Sequence, residues 1–249
     1  MLHKTKGLVL RTVKYGETSM IVTVFTELFG LQSCLVNGVR TSSKKNASRA
    51  SLFQPAALLD LVLYHQETKN LQRLKEFNWH VLYRRIFSEV IPHAVALFMI
   101  ELLQKNLKQP EAQPDLFYFM EDLLTILDDA DDRVIANLPL FFSIHLSGFF
   151  GMRIDDNYSA QRNILDLREG YFTTGKPDHP YFLEEPLSQI SADLLRMQQP
   201  HELSELRLNR EVRRNLLMAY EDFYSLHVTG YSSLKSLPVL RTLLEDGPL

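Results

Sequence analysis

The sequence predicts an α+β chain in which a five-stranded β-barrel precedes an all-α domain. Short segments rich in β-branched residues alternate with turn residues over roughly the first 80 positions, and helical periodicity begins near Trp79. Charge divides the chain at the same place. Residues 1–80 contain 11 Lys and Arg against 5 Asp and Glu, a net +6, so the other residues carry −3 − 6 = −9. We therefore expect a basic nucleic-acid-binding domain at residues 1–78 and a helical domain at 79–249.

Five segments of the first domain have strand character. Gly16 and Gly30 lie in turns between the first three segments, and the polar run 66–69 separates the last two. Five short strands in so short a stretch indicate a small closed barrel. The expected strands are residues 7–13, 19–26, 31–36, 58–64 and 70–77.

The second domain is expected to be helical around one irregular insertion. Asp131 and Asp132 can cap a long apolar helix that runs towards Phe150. Residues 151–186 lose helical periodicity, carry Gly, Pro and Asp, and contain no cysteine, so we expect an irregular segment there. The other expected helices are residues 80–90, 92–107, 114–127, 187–197, 209–228 and 237–244.

Composition and motifs argue against several classes of protein. No run of about 18 uncharged apolar residues occurs, and residues 1–14 lack the apolar core of a signal peptide, so we expect a cytoplasmic protein without a membrane partner. Cys34 is the only cysteine, which excludes an intrachain disulfide and a cysteine-rich zinc site. The sequence contains no HExxH, phosphate-binding loop or nucleophile-elbow motif. We therefore predict no enzyme, no catalytic residue, no metal and no cofactor.

The strongest candidate for a functional site is the basic connection between the third and fourth strands. Arg40, Lys44, Lys45 and Arg49 lie within ten residues of each other, among several Ser and Thr and without an acidic residue. Such side chains neutralise phosphates, and hydroxyls and backbone amides add hydrogen bonds to them. The alternative is a solvated loop with no ligand.

Two further groups of residues are candidates for contacts with nucleic acid. Arg11 and Lys14, at the end of the first strand, extend the basic strip, and Tyr15 beside the turn is suited to stacking on a base. On the helix that begins after Asn209, three arginines lie on one side, as a second anion contact or as a solvated face: Arg210, Arg213 and Arg214.

The order and spacing of several short segments resemble the bacterial recombination mediator family RecO. The resemblance follows the whole chain and is strongest in the first sixty residues and the last forty. The segments that carry it are Gly7-Leu8-Val9-Leu10-Arg11-Thr12, Tyr15-Gly16-Glu17, Val22-Thr23-Val24-Phe25-Thr26, Phe29-Gly30, Asn37-Gly38-Val39-Arg40, Phe53-Gln54-Pro55, Arg213-Arg214-Asn215-Leu216-Leu217 and Ser232-Ser233-Leu234-Lys235-Ser236-Leu237.

The resemblance implies an oligonucleotide-binding (OB) fold followed by a helical domain. It also implies binding of single- and double-stranded DNA, annealing of complementary strands and assistance to RecA loading, in association with the nucleoid. The implied partners are RecR and the acidic C-terminal tail of the single-stranded-DNA-binding protein. The residues carried over as DNA contacts are Arg11, Arg40, Lys44, Lys45 and Arg49.

The chain departs from many relatives in one respect, since they carry a four-cysteine zinc module in the helical domain. The corresponding residues 151–186 contain no cysteine. We therefore expect a metal-free version of this segment, held by packing of Tyr158, Leu165, Tyr171 and Phe182.

Three other functions remain compatible with a basic barrel. The first is binding of RNA, for example in a translation-associated protein, because nothing in the sequence identifies a contact to a 2′-hydroxyl. The second is a protein-interaction scaffold whose barrel binds an acidic peptide. The third is an enzyme such as a phosphodiesterase, which the missing metal-binding motifs disfavour.

Overall fold

Five strands close into the barrel that the sequence predicts. In the computed structural model, which describes residues 1–39 and 49–246, the strand order is β1-β2-β3-β5-β4. Neighbouring strands are antiparallel except β3 and β5, which pair in parallel with Cys34 opposite Gln72. The fold is OB-like. The strands are β1 (Leu2–Tyr15), β2 (Ser19–Thr26), β3 (Gly30–Val36), β4 (Leu58–Tyr64) and β5 (Gln72–Trp79).

The helices follow the barrel. They are α1 (Val90–Asn106), α2 (Pro114–Asp129), α3 (Asp132–Leu146), α4 (Leu187–Arg196), α5 (Arg210–His227) and α6 (Ser236–Asp246). Short 3-10 helices cover Ser51–Phe53, Ser147–Phe150 and Pro200–Ser204. The α+β prediction is confirmed.

The chain divides into two compact units. The barrel unit contains Met1–Arg84 and Leu107–Thr125, and the helical unit contains Arg85–Asn106 and Ile126–Leu249. The barrel unit thus includes most of α2, which a single boundary at residue 78 does not anticipate. The domain bounds 1–78 and 79–249 stay a prediction.

The barrel is filled by alternate residues of each strand. Val22 and Val24 of β2 and Leu59, Leu61 and Leu63 of β4 are buried almost completely, as the period of two in a strand requires. This apolar interior fixes which side chains of each strand face outward.

A β-bulge in β1 reverses the alternation along that strand. Val9 pairs with Val24, but the next pair is Arg11 with Thr23, so Leu10 is an extra residue without a partner on β2. Odd-numbered residues such as Val9 face inward before the bulge, and even-numbered residues face inward after it. Arg11 therefore lies on the outer face of the sheet.

Helix α2 covers the outer face of the barrel before the bulge. The ring of Phe117 lies 5.6 Å from that of Phe25, which is fully buried. Lys6 Nζ donates to the Glu121 carboxylate at 2.9 Å, and His80 Nε2 lies 3.1 Å from the same carboxylate. Apolar contact and charge together fix α2 on the β1–β2 surface.

The helix predicted at residues 80–90 is wrong, because those residues form turns and α1 begins at Val90. The Asp128 carboxylate accepts hydrogen bonds from the backbone N–H groups of Arg85 and Ile86 at 2.8 and 2.9 Å. A side chain thus satisfies donors that a helix would otherwise direct to its own carbonyls.

Helix α3 is the core helix of the helical unit. Asp131 caps it by accepting from the Val134 N–H at 2.9 Å, which confirms the predicted cap. With the following turn, Asp132–Phe150 is long and apolar enough to cross a membrane, but 72% of this stretch is buried within the protein. Such burial is typical of a core helix.

Residues 151–186 contain three very short strands that form a small antiparallel sheet, and the backbone between the strands is irregular. The order is β7-β6-β8, where β6 is Ile164–Asp166, β7 is Tyr171–Thr173 and β8 is Phe182–Leu183. Leu165 is fully buried between Phe172 and Leu183. Strands of two or three residues are too short to show a period in the sequence. The irregular insertion around 151–186 stays a prediction.

Two other features stabilise this segment. The Asn157 side chain bonds the backbone N–H and carbonyl of Phe172 at 2.7 and 3.0 Å. The Tyr158 hydroxyl donates to Glu185 at 2.6 Å. Of the four residues expected to pack here, Leu165 does so fully, whereas Tyr171 is 41% exposed.

Gly30 provides a test of how the barrel unit packs. Its φ is +60°, and a Cβ there would lie 1.9 Å from the Glu111 carbonyl oxygen. We expect Gly30→Ala to lower the free energy of unfolding by about 3 kcal/mol, because left-handed strain and a backbone clash add.

Gly16→Ala is the control for Gly30→Ala. Gly16 has φ +59°, but a Cβ added there would have no atom within 4 Å, so the strain alone should cost about 1 kcal/mol. Urea unfolding of both variants measures the difference, and equal losses would contradict the importance of the Gly30–Glu111 approach.

Candidate nucleic-acid interface

The second half of β1 presents an exposed outer face. Arg11, Val13 and Tyr15 follow the bulge on that face, and Val13 and Tyr15 are 45% and 52% exposed. Tyr15, the residue that the sequence offers for stacking on a base, is thus accessible to solvent, and its stacking stays a prediction. An exposed tyrosine and an arginine on one sheet face combine the two contacts that single-strand binders use.

A row of polar side chains continues across the sheet from Arg11. Arg11 pairs with Thr23 of β2, and Thr23 pairs with Ser33 of β3. Directly opposed residues lie on the same face of a sheet, so a guanidinium and two hydroxyls form one line. All three groups are donors to phosphate oxygens. The sequence did not single out Thr23 or Ser33, because only the strand register places them beside Arg11.

Lys14 lies on the opposite side of β1 from Arg11. It pairs with buried Met20, as Thr12 pairs with buried Val22, and its ammonium group is exposed at the barrel end. The predicted candidates on β1 are therefore divided between the outer face and the barrel end.

Arg49 is attached to the same end of the barrel. The Thr12 hydroxyl donates to the Phe53 carbonyl at 2.6 Å, and the Phe53 ring lies 4.6 Å from that of Phe77. The Arg49 guanidinium lies 4.7 Å from the centre of the Phe77 ring, a cation–π contact. Arg49 is thus near Thr12, whereas Arg40, Lys44 and Lys45 lie outside the described residues.

The basic residues of β1 divide into paired and exposed groups. Burial is the largest single influence on Lys6 and lowers its pKa, but the hydrogen bond to Glu121 and the charges of Glu121 and Glu27 together raise the pKa above its ordinary value. In the part of the chain that the structure describes, Arg11 and Lys14 form no such ion pair. Their charge is directed to solvent and is accessible to a polyanion.

Strand β5 adds a cation that the sequence did not identify as a candidate. Arg73 pairs with Leu35 in the parallel β3–β5 ladder and is exposed. Its neighbour Gln72 is buried, so Arg73 faces outward. The outer face therefore carries a cation on β1 and another on β5, on opposite sides of β2 and β3.

The three arginines of α5 differ in their surroundings. Arg210 is exposed, Arg214 is half-buried, and Arg213 is only 5% exposed. Arg213 Nε donates to the Asn137 side-chain oxygen at 3.2 Å within the helical unit, and burial, with the charge of Arg210, lowers its pKa. Because the Arg213 guanidinium is buried and bonded to Asn137, it stabilises the interior of the helical unit and is not accessible to an external anion.

Residues 1–39 and 49–246 contain no candidate metal centre. No group of three or more His, Cys, Asp or Glu side chains in these ranges has a suitable arrangement. Cys34 is fully buried, and burial raises the pKa of its thiol to about 12.

Arg213 and Arg210 allow packing to be separated from surface charge. We expect Arg213→Ala to lower the free energy of unfolding by about 2–4 kcal/mol, since it removes buried contacts and leaves an Asn137 oxygen without this donor. Arg210→Ala should change stability by no more than about 0.5 kcal/mol. Thermal unfolding of both variants tests this, and a larger effect at Arg210 would contradict it.

Two models of one protein family match this chain. The model described as Recombination protein O N terminal matches residues 1–83, and that described as Recombination protein O C terminal matches residues 92–238. These two matches correspond closely to the barrel and to most of the helices.

Curated relatives span the same length. The chain is 32% identical over 249 residues to DNA repair protein RecO of Bacteroides fragilis, with 98% of this chain and 100% of the relative covered. It is 31% identical to DNA repair protein RecO of Phocaeicola vulgatus, covering 98% and 99%. It is 27% identical to DNA repair protein RecO of Azobacteroides pseudotrichonymphae, covering 98% and 100%.

Proposed function

We propose that this chain, which belongs to the Recombination protein O family, is a recombination mediator that anneals complementary DNA strands and assists RecA loading. The family is one of DNA repair proteins, and DNA binding follows from membership. The observation that carries the proposal is the exposed outer face of the barrel, where Arg11, Thr23 and Ser33 lie in one row across three strands and Tyr15 is exposed further along β1.

The proposed mechanism is physical rather than catalytic. Cations on the barrel neutralise the phosphates of two strands, which lowers their mutual repulsion and raises their local concentration. Contacts to the backbone leave the pairing edges of most bases exposed. We propose no catalytic residue, because annealing requires no covalent step.

The proposed partners are RecR and the acidic C-terminal tail of the single-stranded-DNA-binding protein. An acidic tail is attracted to a basic surface by the same long-range field that attracts DNA. We propose that the protein acts in the cytoplasm at the nucleoid, where its DNA substrate lies.

The basic connection and Arg49 can be tested through the salt dependence of binding. We expect neutralisation of four residues together to weaken the salt dependence of single-stranded DNA binding. The slope of log affinity against log salt should become less negative by up to about 3, since each phosphate contact contributes about 0.7 to it. The four substitutions are Arg40→Gln, Lys44→Gln, Lys45→Gln and Arg49→Gln.

The matched control removes four exposed charges from the helical unit: Arg153→Gln, Arg162→Gln, Arg168→Gln and Lys176→Gln. Both variants have the same net charge, so a general effect of charge would change both slopes alike. A slope that stays at the value of the unaltered chain in the first variant would exclude these residues from the interface.

Annealing tests the proposed activity directly. We expect the chain to accelerate pairing of complementary oligonucleotides, both bare and coated with the single-stranded-DNA-binding protein, as measured by fluorescence energy transfer between labelled strands. No acceleration in either condition would contradict the proposal. Competition by an RNA strand of the same sequence measures preference for DNA, and stronger binding of the RNA would favour an RNA-binding function.

A further inference from the structure

A groove of about 470 Å³ lies on the barrel beside the Arg11–Thr23–Ser33 row. Thr23, Leu31 and Ser33 form its floor. One side is the β2–β3 turn with Leu28 and Phe29, and the other is the β4–β5 loop at residues 65–70. The row and the groove therefore share Thr23 and Ser33, whereas Arg11 lies outside the groove.

Both sides of the groove are held by buried glutamines of the barrel. Gln32 is 7% exposed and donates to the Phe29 carbonyl at 2.7 Å. Gln72 is 3% exposed, donates to the carbonyls of Gln66 and Lys69 at 3.0 and 2.7 Å, and accepts from the Gln66 N–H at 2.9 Å. The two loops are thus preorganised, which lowers the entropy cost of binding a ligand between them.

Aromatic and cationic groups lie where the two loops meet. The rings of Phe29 and His65 are stacked with centroids 4.0 Å apart and planes 15° apart, and His3 contacts the edge of Phe29. Burial, with the nearby His3, lowers the pKa of His65. Lys69 and Asn70 on the rim are exposed, as is the acidic Glu67, and Pro110 and Ala112 complete the lining.

The chemistry of these walls matches a nucleotide rather than a duplex. Leu28 and Leu31 offer apolar contact to the face of a base, and the Asn70 side chain on the rim offers hydrogen bonds to its edge. Lys69 offers a cation to an adjoining phosphate. A base that remains paired is stacked on both faces within the helix, so it cannot enter a groove between two loops.

We propose that this groove is a subsite for one unpaired base of a DNA strand whose backbone follows Arg11, Thr23 and Ser33. The proposal rests on the proposed function, because it requires that the barrel binds DNA. It adds a structural reason for the barrel to distinguish single strands from duplexes.

The first measurement uses the unaltered full-length chain and oligothymidylate that carries one 2-aminopurine, placed in turn at each position. The emission of this base analogue changes with its stacking, so we expect a change on binding for at least one position in the single strand. The same analogue within a duplex should show no change on binding. An emission that stays constant at every position of a bound single strand would overturn the proposal.

The second measurement compares Leu28→Asp with Leu82→Asp. Leu28 lines the groove and is 50% exposed, whereas Leu82 is 71% exposed, belongs to the barrel unit and does not line the groove. Each substitution adds one negative charge on a surface leucine, so their effects on the overall field are matched. Circular dichroism verifies that both variants are folded.

We expect Leu28→Asp to weaken single-strand binding about fivefold or more relative to Leu82→Asp, the scale of one lost base-stacking contact. Duplex binding should differ between the two variants by less than about twofold. Equal weakening for both forms of DNA, or none for either, would overturn the subsite. Failure of the proposed function is distinct, because the unaltered chain would then bind neither form.

Discussion

The bulge at Leu10 is the constraint on which the candidate interface depends. Strand β1 is 14 residues long and serves two partners, since Leu2–Leu8 pairs with β4 and Gly7–Tyr15 pairs with β2. A strand that alternates without interruption would direct Lys6 and Lys14 to the same face. The extra residue shifts the alternation by one, so Lys6 and Arg11 both lie on the outer face, and Lys14 is directed to the barrel end.

Helix α2 then determines which part of this outer face is accessible. It covers Lys6 and Phe25 with Glu121 and Phe117, and Tyr118 donates a hydrogen bond to Glu27. The cation before the bulge is therefore used within the barrel unit, and Arg11 after the bulge is exposed to solvent. Net charge does not reveal this division, because a paired and an exposed lysine count equally in the sequence.

The sequence predicts the barrel because its strands are rich in β-branched residues and are separated by clear turn signals. The bounds of β2 and β4 agree with the structure at both ends, and those of β3 and β5 agree within two residues. Strand β1 is longer than the predicted 7–13, since its first residues also pair with β4. The bulge itself leaves no signal, since Leu10 is as apolar as a regular core residue. The row formed with Thr23 and Ser33 follows from the register, which the order of the strands alone does not fix.

The errors in the helical unit have a common physical cause, which is that distant groups replace local hydrogen bonds. Asp128 binds the N–H groups of Arg85 and Ile86, and no pattern within residues 80–90 indicates a partner about forty positions away. Arg213 has the spacing of a solvated arginine face, yet Asn137 binds its guanidinium in the interior. In both cases a contact with a residue far away in the sequence determines the structure, and the local sequence pattern does not.

The arrangement of the barrel also bears on how a protein can anneal strands without catalysis. Binding must hold the phosphates firmly enough to offset repulsion between strands, but it must leave the pairing edges of the bases exposed. In the proposed arrangement, the row of Arg11, Thr23 and Ser33 across β1, β2 and β3 would meet the first requirement by holding the backbone. The proposed subsite would meet the second, because it would hold the strand at only one base. The buried Gln32 and Gln72 hold the two loops in place, so little binding energy would be spent on ordering them when a ligand binds.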